Sequence, residues 1–228
     1  MGACALPRRD EATRARLRAA AARAAPSVLA RDKVLAVDGA VGALLPAGGV
    51  RRGSTVALDG PLGTGSTTVA CMLAAAATST GEWAAVVDPG NTFGGRAAHD
   101  AGVVLERCAV VRNVPADHWA TVVAALLDGV ALVVATSPRS LKAGDARRLT
   151  ARARERASVL VALGSWPGEA TVRLHTGPSR WRGLEQGSGL LAGRTLDVVV
   201  EAKGWEAHRK TNDKGVRSSE PDRVRLVS

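Results

Sequence analysis

Short runs that are apolar at every position alternate with longer Ala-rich or amphipathic stretches through the middle of the chain. Thr55 to Leu58, Ala84 to Val87, Ala109 to Val111, Ala131 to Ala135 and Ser158 to Leu163 read as strands, and Thr67 to Thr78, Gly94 to Ala101, Trp119 to Leu127 and Asp145 to Arg156 as helices. Strands with no polar face, separated by helices, predict a mostly parallel sheet covered by helices on both faces. Pro46 to Arg52 reads as a Gly-bearing turn ahead of this series. From Thr171 the pattern changes: Thr171 to Thr176 and Thr195 to Glu201 read as two strands joined by the Gly-, Arg- and Trp-bearing segment Gly177 to Gly193, which predicts a C-terminal antiparallel extension.

The ends differ from this core. Residues 1–33 form a basic arm in which Asp10 to Ala24, free of Gly and Pro, predicts a helix, either a solvated surface helix or a nucleic-acid contact. The core is expected over 34–202. Residues 203–228 lose apolar periodicity and are read as a flexible basic tail, with Val224 to Val227 as a candidate last short strand. No internal repeat is visible.

Composition narrows the function classes. At 228 residues the chain suits one domain with arms. The most apolar stretch, Trp119 to Ala135, is split by Asp128-Gly129, and the Arg-rich N-terminus has no apolar signal core, so neither a membrane span nor secretion is expected. Cys4, Cys71 and Cys108 lack metal-ligand spacing and are odd in number, which predicts neither a disulfide frame nor a zinc site and points to the cytosol. His99, His118, His175 and His208 are scattered, so none is assigned to catalysis or metal. The net charge of +10 favours an acidic partner such as nucleic acid, although a general arginine bias would produce the same excess.

The chemical signal lies in Gly60-Pro61-Leu62-Gly63-Thr64-Gly65-Ser66-Thr67-Thr68, placed between an expected strand and an expected helix as a phosphate-binding loop requires. Glycines there would let backbone N–H groups curl round a phosphate at a helix N-terminus. Serine stands at position 66, where the signature has lysine, and a hydroxyl cannot replace that charge. The candidate cofactor-binding residues are therefore Gly60, Gly63, Gly65, Ser66, Thr67 and Thr68, in a degenerate loop read first as a tight strand-to-helix turn and second as a retained phosphate site.

The order Leu45-Pro46-Ala47-Gly48-Gly49-Val50-Arg51-Arg52-Gly53-Ser54, strand, loop, then Ala84-Ala85-Val86-Val87-Asp88-Pro89 resembles the core of bacterial RecA recombinases over roughly residues 44–165. The short chain, the eroded loop and the C-terminal blocks Trp181-Arg182-Gly183-Leu184 and Gly189 to Arg194 are similar to the RecA-like ImuA proteins of bacterial mutagenesis cassettes, especially the actinobacterial version. The resemblance implies an α/β RecA-like P-loop core and an accessory role in damage-induced, error-prone translesion synthesis. It implies an ImuB-like inactive Y-family polymerase as partner, an error-prone C-family polymerase as an indirect one, and nucleoid association when engaged.

RecA-type hydrolysis needs further groups. The water-orienting carboxylate is expected two positions past Asp88, where Gly90 stands, and the metal Asp is expected at the end of the Leu132 to Val134 strand, where Ala135 stands. The sensor position near the end of Val159 to Leu163 offers Gly164-Ser165-Trp166. With the loop lysine also absent, no ATPase activity, catalytic residue, cofactor or metal is expected, and weak ATP binding stays open.

RecA-like cores touch DNA through loops that here follow Ala135 and Leu163. Arg139 and Lys142 in the first of these, with Arg148 and Arg152 on the next helix, are the DNA-binding candidates; Arg148, Arg152 and Arg156 would form a cationic strip. The partner-binding candidates are Trp181, Arg182, Leu184, Arg194 and Trp205, because Trp and Arg anchor interfaces. Trp can also stack a base of single-stranded DNA; Trp166 is divided between interface and core. Deletion of 178–228 is expected to remove partner binding and leave the core folded. The alternative function is a nucleotide-responsive DNA-binding protein of recombination or repair.

Overall fold

A computed structural model describes residues 33–182, 193–202 and 223–227. Six parallel strands form its centre, in the spatial order β8 (Val172–Thr176), β3 (Thr55–Asp59), β7 (Val159–Leu163), β6 (Leu132–Thr136), β4 (Ala84–Asp88), β5 (Cys108–Arg112). The strands β3, β4, β6 and β7 are buried through at least their first four positions, which is why they read as unbroken apolar runs. Helices α1 (Gly39–Leu44), α2 (Ser66–Ser79) and α3 (Gly95–Asp100) pack on one face, and α4 (Trp119–Gly129) and α5 (Ala143–Arg156) on the other.

Each helix meets the sheet in a way its residues dictate. In α5 the small or branched side chains Ala146, Leu149 and Ala153 form the buried stripe, while arginines fill the solvent face. In α4 the stripe is Trp119, Val123 and Leu127. Helix α2 is buried nearly all round, and its run of alanines lets it lie close to the strands.

The C-terminal part is an antiparallel extension of the same sheet. Strand β10 (Gly193–Ala202) pairs with β8, β11 (Arg223–Val227) pairs with β10, and β9 (Arg180–Arg182) pairs with the start of β10. Alternation marks where the second helix layer stops: Leu196, Val198 and Val200 of β10 are buried, while Asp197 and Val199 are half-exposed and Glu201 is exposed. A separate ladder joins β1 (Val34–Ala36) to β2 (Gly49–Arg51).

Three expectations change. The turn predicted at Pro46 to Arg52 is a short 3-10 turn, Pro46–Gly48, running into β2. The Gly177 to Gly193 connection contains β9. The C-terminal stretch ends in a paired strand at Arg223–Val227, so the short-strand reading holds there and a core ending at 202 leaves out part of the sheet. Apart from Lys33 the N-terminal arm, including the helix predicted at Asp10 to Ala24, lies outside the described residues, as do 203–222 of the tail.

Within 178–228, strand β10 contributes to the core. Leu196 and Val198 are 0% exposed and belong to the same core cluster as Val69 and Leu73 of α2. Their removal would uncover the helix that the glycine loop leads into.

Candidate functional site

The chain leaves β3, crosses to β4 beyond β7 and β6, and returns from β7 to β8 on the opposite side of β3. Such a reversal opens a crevice at the carboxyl ends of the strands, where ligands of α/β sheets bind. The loop Gly60–Gly65 sits there, and Gly65, at φ 100, caps the N-terminus of α2. All six loop candidates are thus brought together, with Gly60, Gly63 and Thr67 exposed, Ser66 and Thr68 half-buried and Gly65 buried.

The loop's side chains are bonded from far along the chain. The Thr176 hydroxyl, on β8, lies 2.7 Å from Thr64 Oγ1 and 2.9 Å from Ser66 Oγ, and 3.2 Å from the carbonyl of Asp59. Thr64 in turn donates to the Pro61 carbonyl at 2.7 Å. With the Thr64 proton on Pro61, Ser66 can donate to Thr176, and the single Thr176 proton is shared between Thr64 Oγ1 and the Asp59 carbonyl. The Ser66 side chain is thus held by β8 where lysine would present a cation. A Cβ on Gly60 would stand 2.0 Å from Thr176 Oγ1, and one on Gly65 would stand 2.6 Å from Leu196 Cδ2. These glycines admit β8 and β10 into contact with the loop.

The outside of the loop is also bound. The Gly63 carbonyl accepts from Ser179 Oγ at 3.1 Å and from Arg194 Nη2, and Arg194 also donates to Ser179 at 3.1 Å. The Arg194 guanidinium lies 4.9 Å from the centroid of the Trp181 ring. Thr176, Ser179 and Leu196 carry no motif of their own, so nothing but the strand pattern around them marks their place.

Behind the loop, Thr67, Cys71, Asp88, Phe93, Val134 and Thr136 line a pocket of about 30 Å³. That is room for water, and far below the roughly 300 Å³ at which ligand pockets begin. Asp88 is 2% exposed and accepts from the Phe93 N–H at 2.8 Å and from Thr92 Oγ1 at 3.1 Å. Burial pushes its carboxyl up, but the hydrogen bonds from Phe93 and Thr92 and the charge of Arg112 outweigh this and hold it below the usual range. Burial pushes the Cys71 thiol up to about 11, leaving it neutral. At the two positions where RecA-type chemistry needs carboxylates, Gly90 is exposed and Ala135 is fully buried.

Asp88 therefore anchors the turn after β4. Asp88→Asn, which keeps one acceptor oxygen but must turn its NH2 toward either Thr92 or Phe93, is expected to lower stability by about 1–2 kcal/mol at pH 7. Because the native carboxyl titrates low, its contribution is full above the unfolded value of about 3.9 and is lost as pH falls through the lower native value. Urea midpoints of the two proteins should converge in acid; a constant gap down to the acid limit would contradict this role.

The DNA candidates run from the loop before α5 along the length of that helix, and several are paired. Arg139 and Lys142 are exposed, without a carboxylate partner among the described residues. Arg148 pairs with Asp145. Arg152 grips Asp128 through two bonds of 2.8 and 2.5 Å, and Arg156 joins it at 3.0 Å. The Arg152 guanidinium holds the Asp128 carboxyl below its ordinary range. The predicted cationic strip is thus partly spent on tying α5 to the end of α4.

Among the partner candidates, Trp181 is 54% exposed and Arg194 is stacked on it, with Arg182 next in strand β9. Leu184 and Trp205 lie outside the described residues. Trp166 belongs to the core beneath α5, 6% exposed, with its Nε1 donating to the Glu169 carbonyl at 3.3 Å. Leu62, at the loop apex and wholly exposed, was not singled out by its sequence context.

The fold and its loop define an α/β protein with a mostly parallel, helix-covered sheet and a glycine turn at its switch point. Residues 43–168 match the family described as the MT3502 N-terminal domain, more than half of the chain, and the protein belongs to that family. The matched stretch contains the loop and the crevice but ends before β8, the strand that carries Thr176. No curated protein matches the chain significantly.

Proposed function

We propose that this protein is a non-catalytic, RecA-like accessory protein of the ImuA type, acting in damage-induced, error-prone translesion synthesis. In this reading the degenerate ATPase core is a rigid platform for an inactive Y-family polymerase relative, with an error-prone C-family polymerase engaged through it and single-stranded DNA as a secondary ligand. The observation that carries the non-catalytic half is the Ser66 side chain, at the lysine position, bonded with Thr64 to the Thr176 hydroxyl of β8. A phosphate cradle needs its lysine position to face the ligand with a positive charge. The absence of carboxylates at Gly90 and Ala135 supports the same conclusion from the other side of the crevice. The polymerase partnership rests on the resemblance of the C-terminal blocks, and the exposed Trp181 beside Arg194 is consistent with a binding role.

The test is affinity purification of the tagged full chain from its own host after DNA damage, with nuclease treatment. Recovery of an inactive Y-family relative is expected. Its reproducible absence with stable bait would remove the adaptor reading and favour independent DNA binding.

A further inference from the structure

Two large apolar side chains stand out on opposite sides of one carbonyl. Leu62 is 104% exposed at the apex of the loop, and Trp181 is 54% exposed on β9. Between them the Gly63 carbonyl is held by Ser179 and Arg194, and the Arg194 guanidinium lies on the Trp181 ring. A loop that elsewhere closes round a phosphate is here fastened to β9 and β10, with its apolar tip directed outward. Ordering these groups before binding lowers the entropy lost when a partner arrives.

We propose that the loop apex and the Trp181–Arg194 stack form one docking site for an acidic peptide segment of a partner protein, carrying an apolar anchor that seats between Leu62 and Trp181. The proposal rests on the adaptor reading and names the surface and chemistry it uses. Charge complementarity selects the occupant: the Arg194 guanidinium lies against the ring of Trp181, its cross-strand partner; Arg180 is exposed on the opposite face of the same short strand; and the whole chain carries +10. A nucleic-acid strand fits less well. A leucine side chain offers a phosphate nothing, and the ring face that a base would stack on is shared with Arg194. An aliphatic tip near an aromatic ring that carries the Arg194 guanidinium matches an acidic segment bearing leucine or phenylalanine.

The experiment compares the full chain with Leu62→Asp, Leu62→Arg and Val104→Asp in the nuclease-treated purification, followed by cross-linking and mass spectrometry of the bound segment. Leu62 contributes no packing, so the melting temperature of Leu62→Asp should equal that of the parent. Partner retention should fall roughly thirtyfold in Leu62→Asp. It should fall much less in Leu62→Arg, whose charge suits an acidic segment, and stay unchanged in Val104→Asp, which alters an exposed apolar residue near β5. The cross-linked segment should be acidic. Full retention by Leu62→Asp, or a basic cross-linked segment, would overturn the docking site while leaving the adaptor reading in place. Failure of the parent chain to retain any protein, or retention of nucleic acid alone, would overturn both.

Discussion

A chain cut after Gly177 is expected to lose its cooperative fold. The cut removes β9, β10 and β11, and with β10 go Leu196, Val198 and Val200, each at most 5% exposed and packed in the cluster that holds α2. Burial of one such side chain contributes about 1.5–3 kcal/mol, so the three account for roughly 5–9 kcal/mol, an upper estimate because unfolded chains already bury some surface. Domains are stable by only about 5–15 kcal/mol. Strand β8 would also become an open edge, with its backbone groups free to pair with another chain. Circular dichroism during heating checks this: the truncated chain should melt without a cooperative transition, or aggregate. A cooperative melt within a few degrees of the parent would mean that the antiparallel strands are peripheral. Loss of partner binding on truncation is therefore no evidence about docking, and point substitutions at the surface are the proper probe.

Gly60→Ala is expected to destabilise the protein by about 3 kcal/mol or more. Its Cβ would lie 2.0 Å from Thr176 Oγ1 and 2.7 Å from the Thr176 backbone oxygen, at a φ of 155 that side chains avoid. Thr176 cannot rotate away without breaking its bonds to Thr64 and Ser66, and the carbonyl belongs to a paired strand. Gly63→Ala is the internal control. It also has a positive φ, but nothing lies within 4 Å of the added carbon, so only backbone strain of about 1 kcal/mol applies. Urea unfolding of both variants separates two roles for the loop. If its glycines served only to bring backbone amides to a phosphate, the two substitutions would cost similar amounts without ligand. If they admit β8, Gly60→Ala stands well apart, and Gly60→Ala combined with Thr176→Ala recovers part of the loss.

The sheet was legible because its central strands have no polar face to confuse the pattern. Val159–Leu163 and Ala84–Asp88 are apolar in sequence for the same reason that they are buried in the fold. Alternation in β8 and β10 likewise marked the uncovered part of the sheet. The loop was legible as a loop, from glycine spacing between a strand and a helix. What occupies it was not, since Thr176 meets Thr64 across 112 residues and an isolated threonine carries no signal. Trp166 and Trp181 lie in similar Gly- and Arg-bearing surroundings, yet one is 6% and the other 54% exposed, because packing beneath α5 decides the first and a strand edge the second. Arg152 reads as a cation on a basic helix; its neutralising partner, Asp128, sits on a different helix.

The non-catalytic reading proposed above holds that the phosphate loop is fastened to its own chain through Thr176 and takes no nucleotide. Calorimetric titration of the full-length protein with Mg-ATP tests this most directly. The account predicts no saturable heat up to millimolar nucleotide. Saturable binding that disappears in Gly65→Asp would contradict it, because the loop would then have to release Thr176 and receive a phosphate, as the nucleotide-responsive DNA-binding reading requires.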